Sequence, residues 1–272
     1  MYTYSPENIA TANQYAKYIH WFCQNHMDTH TSNLKLFDFI DDDALKTRIA
    51  KELYVARYFC KLQSAFKPVW NQASFELFGS LKLQIVQYGG IFEAIISYFL
   101  EGRYGNHELV KELIYVKDTY KEVSVLAKGV TIQQKLQKQE QEQELFICQK
   151  SKSRPARWEG INFEKKLKVA VQIGLISNQT EAAVLETYQL RHSVHIQTAA
   201  KKEIELEIDH CKNAFYTFRK FLKEIRTHLE YSETPEIQEE EERIQSEFEE
   251  SFSFPNQETQ TDTEILIAGL IY

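Results

Sequence analysis

Residues 188–195 read YQLRHSVH and place Arg191, His192 and His195 within five positions of one another. An imidazole titrates near neutral pH, whereas a guanidinium stays charged throughout the physiological range. Such a cluster can both move a proton and hold a phosphate. On a helix, residues four apart share a face, so Arg191 and His195 project together, beside the apolar pair Leu190 and Val194 at the same spacing. The cationic pair then borders a core, at the edge of a groove. There an imidazole can transfer a proton and a guanidinium can steady the charge that grows on a phosphodiester in its transition state. In the structural reading Arg191 bonds a carboxylate or helix-end carbonyls on a neighbouring helix and His195 is a surface group. Both readings stand on these residues.

A second electrostatic feature lies upstream. Between Lys150 and Lys168 seven bases, Arg154, Arg157 and Lys165 among them, face only Glu159 and Glu164. With Trp158 interleaved as a surface on which a base can stack, this is the footprint of a nucleic-acid contact, or else a solvated loop entering a helix. Other clusters carry less. His20, Cys23, His26 and His30 match no familiar zinc spacing, so neither a metal nor another cofactor is expected. Asp209, His210 and Cys211 are consecutive and on a helix point about 100° apart, which is no nucleophile geometry. Gly89–Gly90 lacks the lysine and hydroxyl of a phosphate loop and suits close helix packing. The four cysteines lie far apart, as buried free thiols do in a reducing cytosol.

The elements that must position these residues are helical. Nine glycines and five prolines in 272 residues are too few for an all-β fold with a turn every ten residues or so. Helices are expected from Pro6 through the aromatics Tyr15, Tyr18, Trp21 and Phe22, and from Asp41–Asp43 to just short of Pro68. A third spans about 74–101 with Ile85, Gly89, Phe92, Ile96 and Phe99 as its buried stripe. Its polar residues, Glu93 included, mark it as a core helix and not a membrane span. Two short strands flank a Gln/Lys/Glu run within 105–160. A helix from Asn162 to Ile176 precedes one opened by a capping box at Asn178 and Glu181, which carries the Arg191 cluster. The last seam runs Ile204, Ile208, Cys211, Phe215, Phe218, Leu222, Ile225 and Leu229.

Charge divides unevenly. From Glu233 onward twelve acids face Arg243 alone, so with the whole chain at −7 the preceding body is weakly basic. Acids in that density are expected to leave 233–254 helical only in patches or disordered. The apolar ILIAGLIY at 265–272 is expected to pack into a groove of the body or of a partner chain. The polar N-terminus offers no targeting segment, and a cytoplasmic protein without membrane contact is expected.

The stretch INFEKKLKVAVQIGLISNQTEAAVLETYQLRHSVHIQTAAK, with LQIVQYGGIFEAIISYFL upstream, resembles the C-terminal half of HEPN-type proteins, the all-α prokaryotic RNase and defence modules. Their motif is an Arg, a polar residue and then a His at the head of a long helix. The resemblance covers roughly 74–230 and implies a mainly α, antiparallel helical bundle. It divides the chain into a helical half (1–104), an insertion with a possible β-hairpin (105–160), HEPN-like helices (161–232) and the acidic tail (233–272). It implies metal-independent RNA cleavage at a homodimer interface in stress or phage defence, as in a toxin. His195 would be the acid–base group, Arg191 the phosphate clamp, His192 the polar second position and Glu93 the polar residue of the apolar helix. Three residues separate Arg191 from His195, where the usual gap is four to six. The alternatives are a non-catalytic helical module binding a partner protein or nucleotide, and a regulatory subunit whose tail covers a basic site.

Overall fold

The computed structural model describes residues 6–25, 27, 31–66, 75–115, 119–122, 148–151, 157–191 and 205–252. Its α-helices in chain order are α1 Pro6–Asn25, α2 Asp43–Phe66, α3 Phe75–Glu101, α4 Glu108–Ile114, α5 Phe163–Gln172, α6 Asn178–Arg191, α7 Ile208–His228 and α8 Pro235–Phe252. Short 3-10 helices lie at Ser32–Phe37 and Trp158–Gly160. The fold is mainly α. Within the segment expected as a hairpin insertion, β1 Thr119–Glu122 pairs antiparallel with β2 Cys148–Ser151, Thr119 opposite Ser151. Residues 123–147 between them fall outside the described residues. Two compact units result, one formed by Met1–Ile96 with Ala170–Tyr272 and the other by Ser97–Val169.

Helix limits follow local chemistry. Asp42 Oδ1 accepts the Leu45 N–H at 2.9 Å and opens α2. The capping residue of α6 is Ser177, one position before the expected Asn178: its hydroxyl accepts the Thr180 N–H at 3.2 Å. The helix carrying the expected 204–229 seam begins at Ile208, where Glu207 is extended and its N–H donates to His210 Nδ1 at 2.9 Å; Ile204 lies outside the described residues. Gly174, at φ +80°, turns the chain out of α5, a conformation any other residue would adopt under strain.

In the first unit α7 is the central helix. Cys211, Phe215, Phe218, Leu222 and Ile225 are buried along its seam. Phe218 meets Phe37 and Tyr88 at ring-centroid distances of 6.2 and 5.8 Å, and Phe221 meets Phe92 edge-on at 5.1 Å. Ile85, Phe92 and Ile96 of α3 are buried as expected. By length and composition the stretch Glu76–Glu101 would also suffice to cross a membrane. The aromatics of α1 behave differently: Tyr15, Tyr18 and Trp21 are exposed, and α1 rests on α2 through buried Cys23 and a 3.1 Å contact of His20 Nδ1 with the Tyr58 hydroxyl. Burial holds the Cys60 thiol up at about 12, so it is a protonated core residue.

The acidic segment departs most from expectation. Pro235–Phe252 is one helix docked on the body, not a patchwork or a disordered run. Ile237, Ile244 and Phe248 are buried, and Phe248 stacks on Phe215 at 3.9 Å. Each such side chain contributes roughly 1.5–3 kcal/mol on burial. The acids find guanidiniums that are themselves buried. Arg57 Nη2 donates to Glu247 at 2.5 Å and Nη1 to Asn33 at 2.5 Å. Arg226, 1% exposed, donates to Glu241 at 2.5 Å, to Glu233 at 3.2 Å and to the Leu36 carbonyl at 2.9 Å. Acids in number do not preclude a core when the body supplies buried cations in register. Residues 265–272, expected to dock in a groove, lie outside the described residues.

In the second unit His107 caps α4, its Nδ1 accepting the Leu109 N–H at 3.3 Å. Lys166 is buried, donates to Ser97 Oγ at 3.1 Å and sits 5.0 Å from the centre of the Trp158 ring.

Arg226→Met keeps the stem but strands Glu233 and Glu241 and leaves the Leu36 carbonyl without its donor. The carboxylates retain some water, so the expected loss is about 3 kcal/mol, the lower end for a broken buried pair. Urea unfolding of the full chain measures it, and a loss below about 1 kcal/mol, the scale of a surface pair, would contradict this role.

Candidate functional site

The site is built where the C-terminal end of α6 meets the middle of α3. Gly89 and Glu93 are four apart and share one face of α3. A Cβ at Gly89 would lie 3.1 Å from Arg191 Cδ and 3.4 Å from its Cβ, so the missing side chain is the space the arginine stem occupies. Gly90 has nothing comparable within 4 Å. One turn further along, Glu93 Oε2 accepts from Arg191 Nη1 at 2.5 Å. On α6 itself Tyr188 lies three residues before Arg191, its ring centre 5.6 Å from the guanidinium carbon. Burial, then the Glu93 charge, pushes the Tyr188 hydroxyl pKa up, so the phenol is neutral here.

Arg191 and Glu93 are each 35% exposed at the side chain. A pair this open to water contributes at most about 1 kcal/mol to stability, so it fixes direction more than it adds strength. The Arg191 Nε–H and Nη2–H groups meet no acceptor among the described residues. A guanidinium steered by one carboxylate and retaining free donors can bind an oxyanion, while a position in the last turn of α6 also suits its charge to the helix dipole.

Of the residues singled out by sequence, Arg191 and Glu93 are brought together. His192, His195 and Val194 lie outside the described residues, as do Arg154, His26 and His30. Among the described residues no three His, Cys, Asp or Glu side chains converge as metal ligands do. In the second unit Arg157 and Lys165 are exposed. Trp158 is half-buried, its indole N–H buried and without an acceptor among the described residues, with the Lys166 ammonium over its ring. Lys166 therefore leaves the solvated basic footprint, and Trp158 is less open to stacking than its neighbours in sequence suggest.

Sequence reading missed three contributors: Gly89 as the seat of the arginine stem, Tyr188, and Glu224. The first two carried a signal, because they stand at helical spacing from Glu93 and Arg191. Glu224 of α7 acts on the opposite end of α6. Its carboxylate accepts the Ser177 N–H and hydroxyl, both at 2.8 Å, and the Thr180 hydroxyl at 2.8 Å. No family model, no curated protein and no solved structure matches the chain.

Burial opposes the charged form of Glu224, but the Ser177 N–H, the Thr180 and Ser177 hydroxyls and Lys220 outweigh it and hold its pKa below the ordinary carboxylate value. Its stabilisation is therefore present above the unfolded carboxylate value and is lost as pH falls through the depressed folded value. Glu224→Gln is expected to cost about 1 kcal/mol at neutral pH, the scale of a lost cap, with the deficit shrinking on acidification. Thermal unfolding from neutral to acid pH checks this; a deficit that does not change with pH would contradict it.

Proposed function

We propose that the chain is a HEPN-type, metal-independent endoribonuclease acting in bacterial stress or phage defence. The observation that carries the reading is Arg191, held at the end of α6 by Glu93 of the apolar helix, with its Nε–H and Nη2–H meeting no acceptor among the described residues. Arg191, whose type and spacing suggested the chemistry, thus meets Glu93, which the resemblance placed at the site. In the proposed reaction the ribose 2′-oxygen bonds to phosphorus and the bond to the departing 5′-oxygen breaks, leaving a 2′,3′-cyclic phosphate. Arg191 neutralises the charge gathering on the non-bridging oxygens, and Glu93 keeps the guanidinium aimed. His195 carries the proton traffic at the interface of two copies, one imidazole taking the 2′-hydroxyl proton and the other giving a proton to the 5′-oxygen. His192 supplies the polar second position. Arg154, Arg157 and Lys165 hold the RNA backbone without reading sequence.

A second reading has its own support. The Arg191–Glu93 bond ties α6 to α3 as a structural ion pair does, and a non-catalytic helical module binding a partner protein or nucleotide needs no more than that.

The readings part on substitution. For the ribonuclease, His195→Ala is expected to lower RNA cleavage by roughly 100-fold or more with the fold intact, the usual scale for losing a general acid–base. Arg191→Lys also fails, because a point charge does not reproduce the planar grip on phosphate. Cleavage unchanged in both variants contradicts the assignment of Arg191 and His195, whereas an intact chain inactive on every RNA tried decides for the interaction module. Replacing Arg154, Arg157 and Lys165 by glutamine is expected to weaken binding of unrelated RNAs equally and to flatten the salt dependence. An unaltered slope removes that stretch from the RNA path.

A further inference from the structure

A groove of about 310 Å³ opens between α6 and α7, and its lining includes Leu190, the residue before Arg191. Leu190 and Ala183 give it apolar wall, and Thr187, Asn213, Tyr216 and Thr217 give it hydrogen-bonding and aromatic groups. Its volume is at the small end for ligand sites, enough for one heterocycle and not for a folded peptide. We propose that this groove holds one nucleobase of a single-stranded RNA, stacked on Tyr216 and read at its edge by Asn213 and Thr217. The proposal rests on the ribonuclease reading for the strand it belongs to, but not for the chemistry of the groove.

Three features select that ligand. Tyr216 is 45% exposed yet held, its ring edge-on to Phe215 at 5.5 Å and to Phe248 at 6.1 Å. An aromatic face fixed in advance and left open to water is what a base stacks on at little entropic cost. The charge balance disfavours an anion. Lys220, the lysine of the groove, donates to Gln179 Oε1 at 2.6 Å and lies 4.0 Å from Glu224, while Glu186 adds a carboxylate to the lining. His210, also in the lining, is engaged at Nδ1 by the Glu207 N–H at 2.9 Å, and the amide of Asn213 and hydroxyl of Thr217, neither partnered among the described residues, suit the mixed donors and acceptors of a base edge. The third feature is position. Thr187 of the lining precedes Arg191 by four residues, about one turn or 5.4 Å along α6, the scale that separates a base from its own phosphate.

The test uses the full chain and a short oligouridine carrying 4-thiouridine and a fluorophore. Irradiation followed by peptide mapping is expected to place the adduct on Tyr216 or on the α7 segment beside it. By anisotropy, Tyr216→Ala is expected to weaken binding about tenfold, the scale of one lost stack, and Tyr216→Phe to leave it within about twofold. Asn213→Ala, at an exposed position where misfolding is not at issue, is expected to change the preference among uridine, cytidine and adenosine oligomers. An adduct mapping elsewhere, equal losses in the Phe and Ala variants, or no binding of the oligomer would each overturn the groove assignment. Adduct formation at Tyr216 that survives in a chain without RNA cleavage would uphold the groove while rejecting the ribonuclease reading.

Discussion

Two guanidiniums buried against α8 set the terms for the first unit. Arg226 on α7 and Arg57 on α2 have almost no contact with solvent, and a charge taken out of water must meet an opposite charge or the fold does not form. The acids that satisfy them come from 233–247, so the acidic segment has to dock as a helix. Once Glu241 and Glu247 are on those arginines, Ile237, Ile244 and Phe248 cover the rest of the contact, and Phe248 fixes the ring of Phe215 on α7. The position of α7 then sets α6 through Glu224 and Ser177. Arg191 stands at the far end of α6. The clamp that aims the candidate site is thus anchored, two helices away, by a pairing between residues 190 positions apart in sequence.

Within each helix, spacing made much of this legible. The buried faces of α3 and α7 follow the apolar periodicity, and a helix limit was misplaced by one residue where Ser177 and not Asn178 serves as cap. Lys166 was legible in principle: with Phe163, Leu167 and Ala170 it falls at steps of three and four on one buried face, so its charge had to point inward. Composition obscured what spacing would have revealed. Twelve acids read as a solvated tail, yet Ile237, Ile244 and Phe248 recur at steps of seven and four and mark one line along a helix. What no local pattern contained was the partner: spacing turns Arg57 inward with Leu53 and Cys60, and Arg226 with Phe218 and Leu222, but names no distant carboxylate to meet them.

At the site itself, the pairing of Arg191 with Glu93 is common ground for both functional readings. A structural tie and a phosphate clamp each need a guanidinium fixed by a carboxylate. They differ in what the remaining donors do, and here the pair is open to water, seated on a glycine and bordered by a neutral tyrosine. A tie made only for stability gains little in that setting. Openness is costly to a strut and useful to a ligand site.

The most direct measurement is the chemistry of the RNA ends after incubation with the purified chain in excess chelator. Attack by the 2′-hydroxyl requires a 2′,3′-cyclic phosphate on one fragment and a free 5′-hydroxyl on the other, formed without metal and absent with Arg191→Ala. Products bearing 5′-phosphate and 3′-hydroxyl ends, products that vanish with chelator, or the same ends at the same rate from Arg191→Ala would contradict the account.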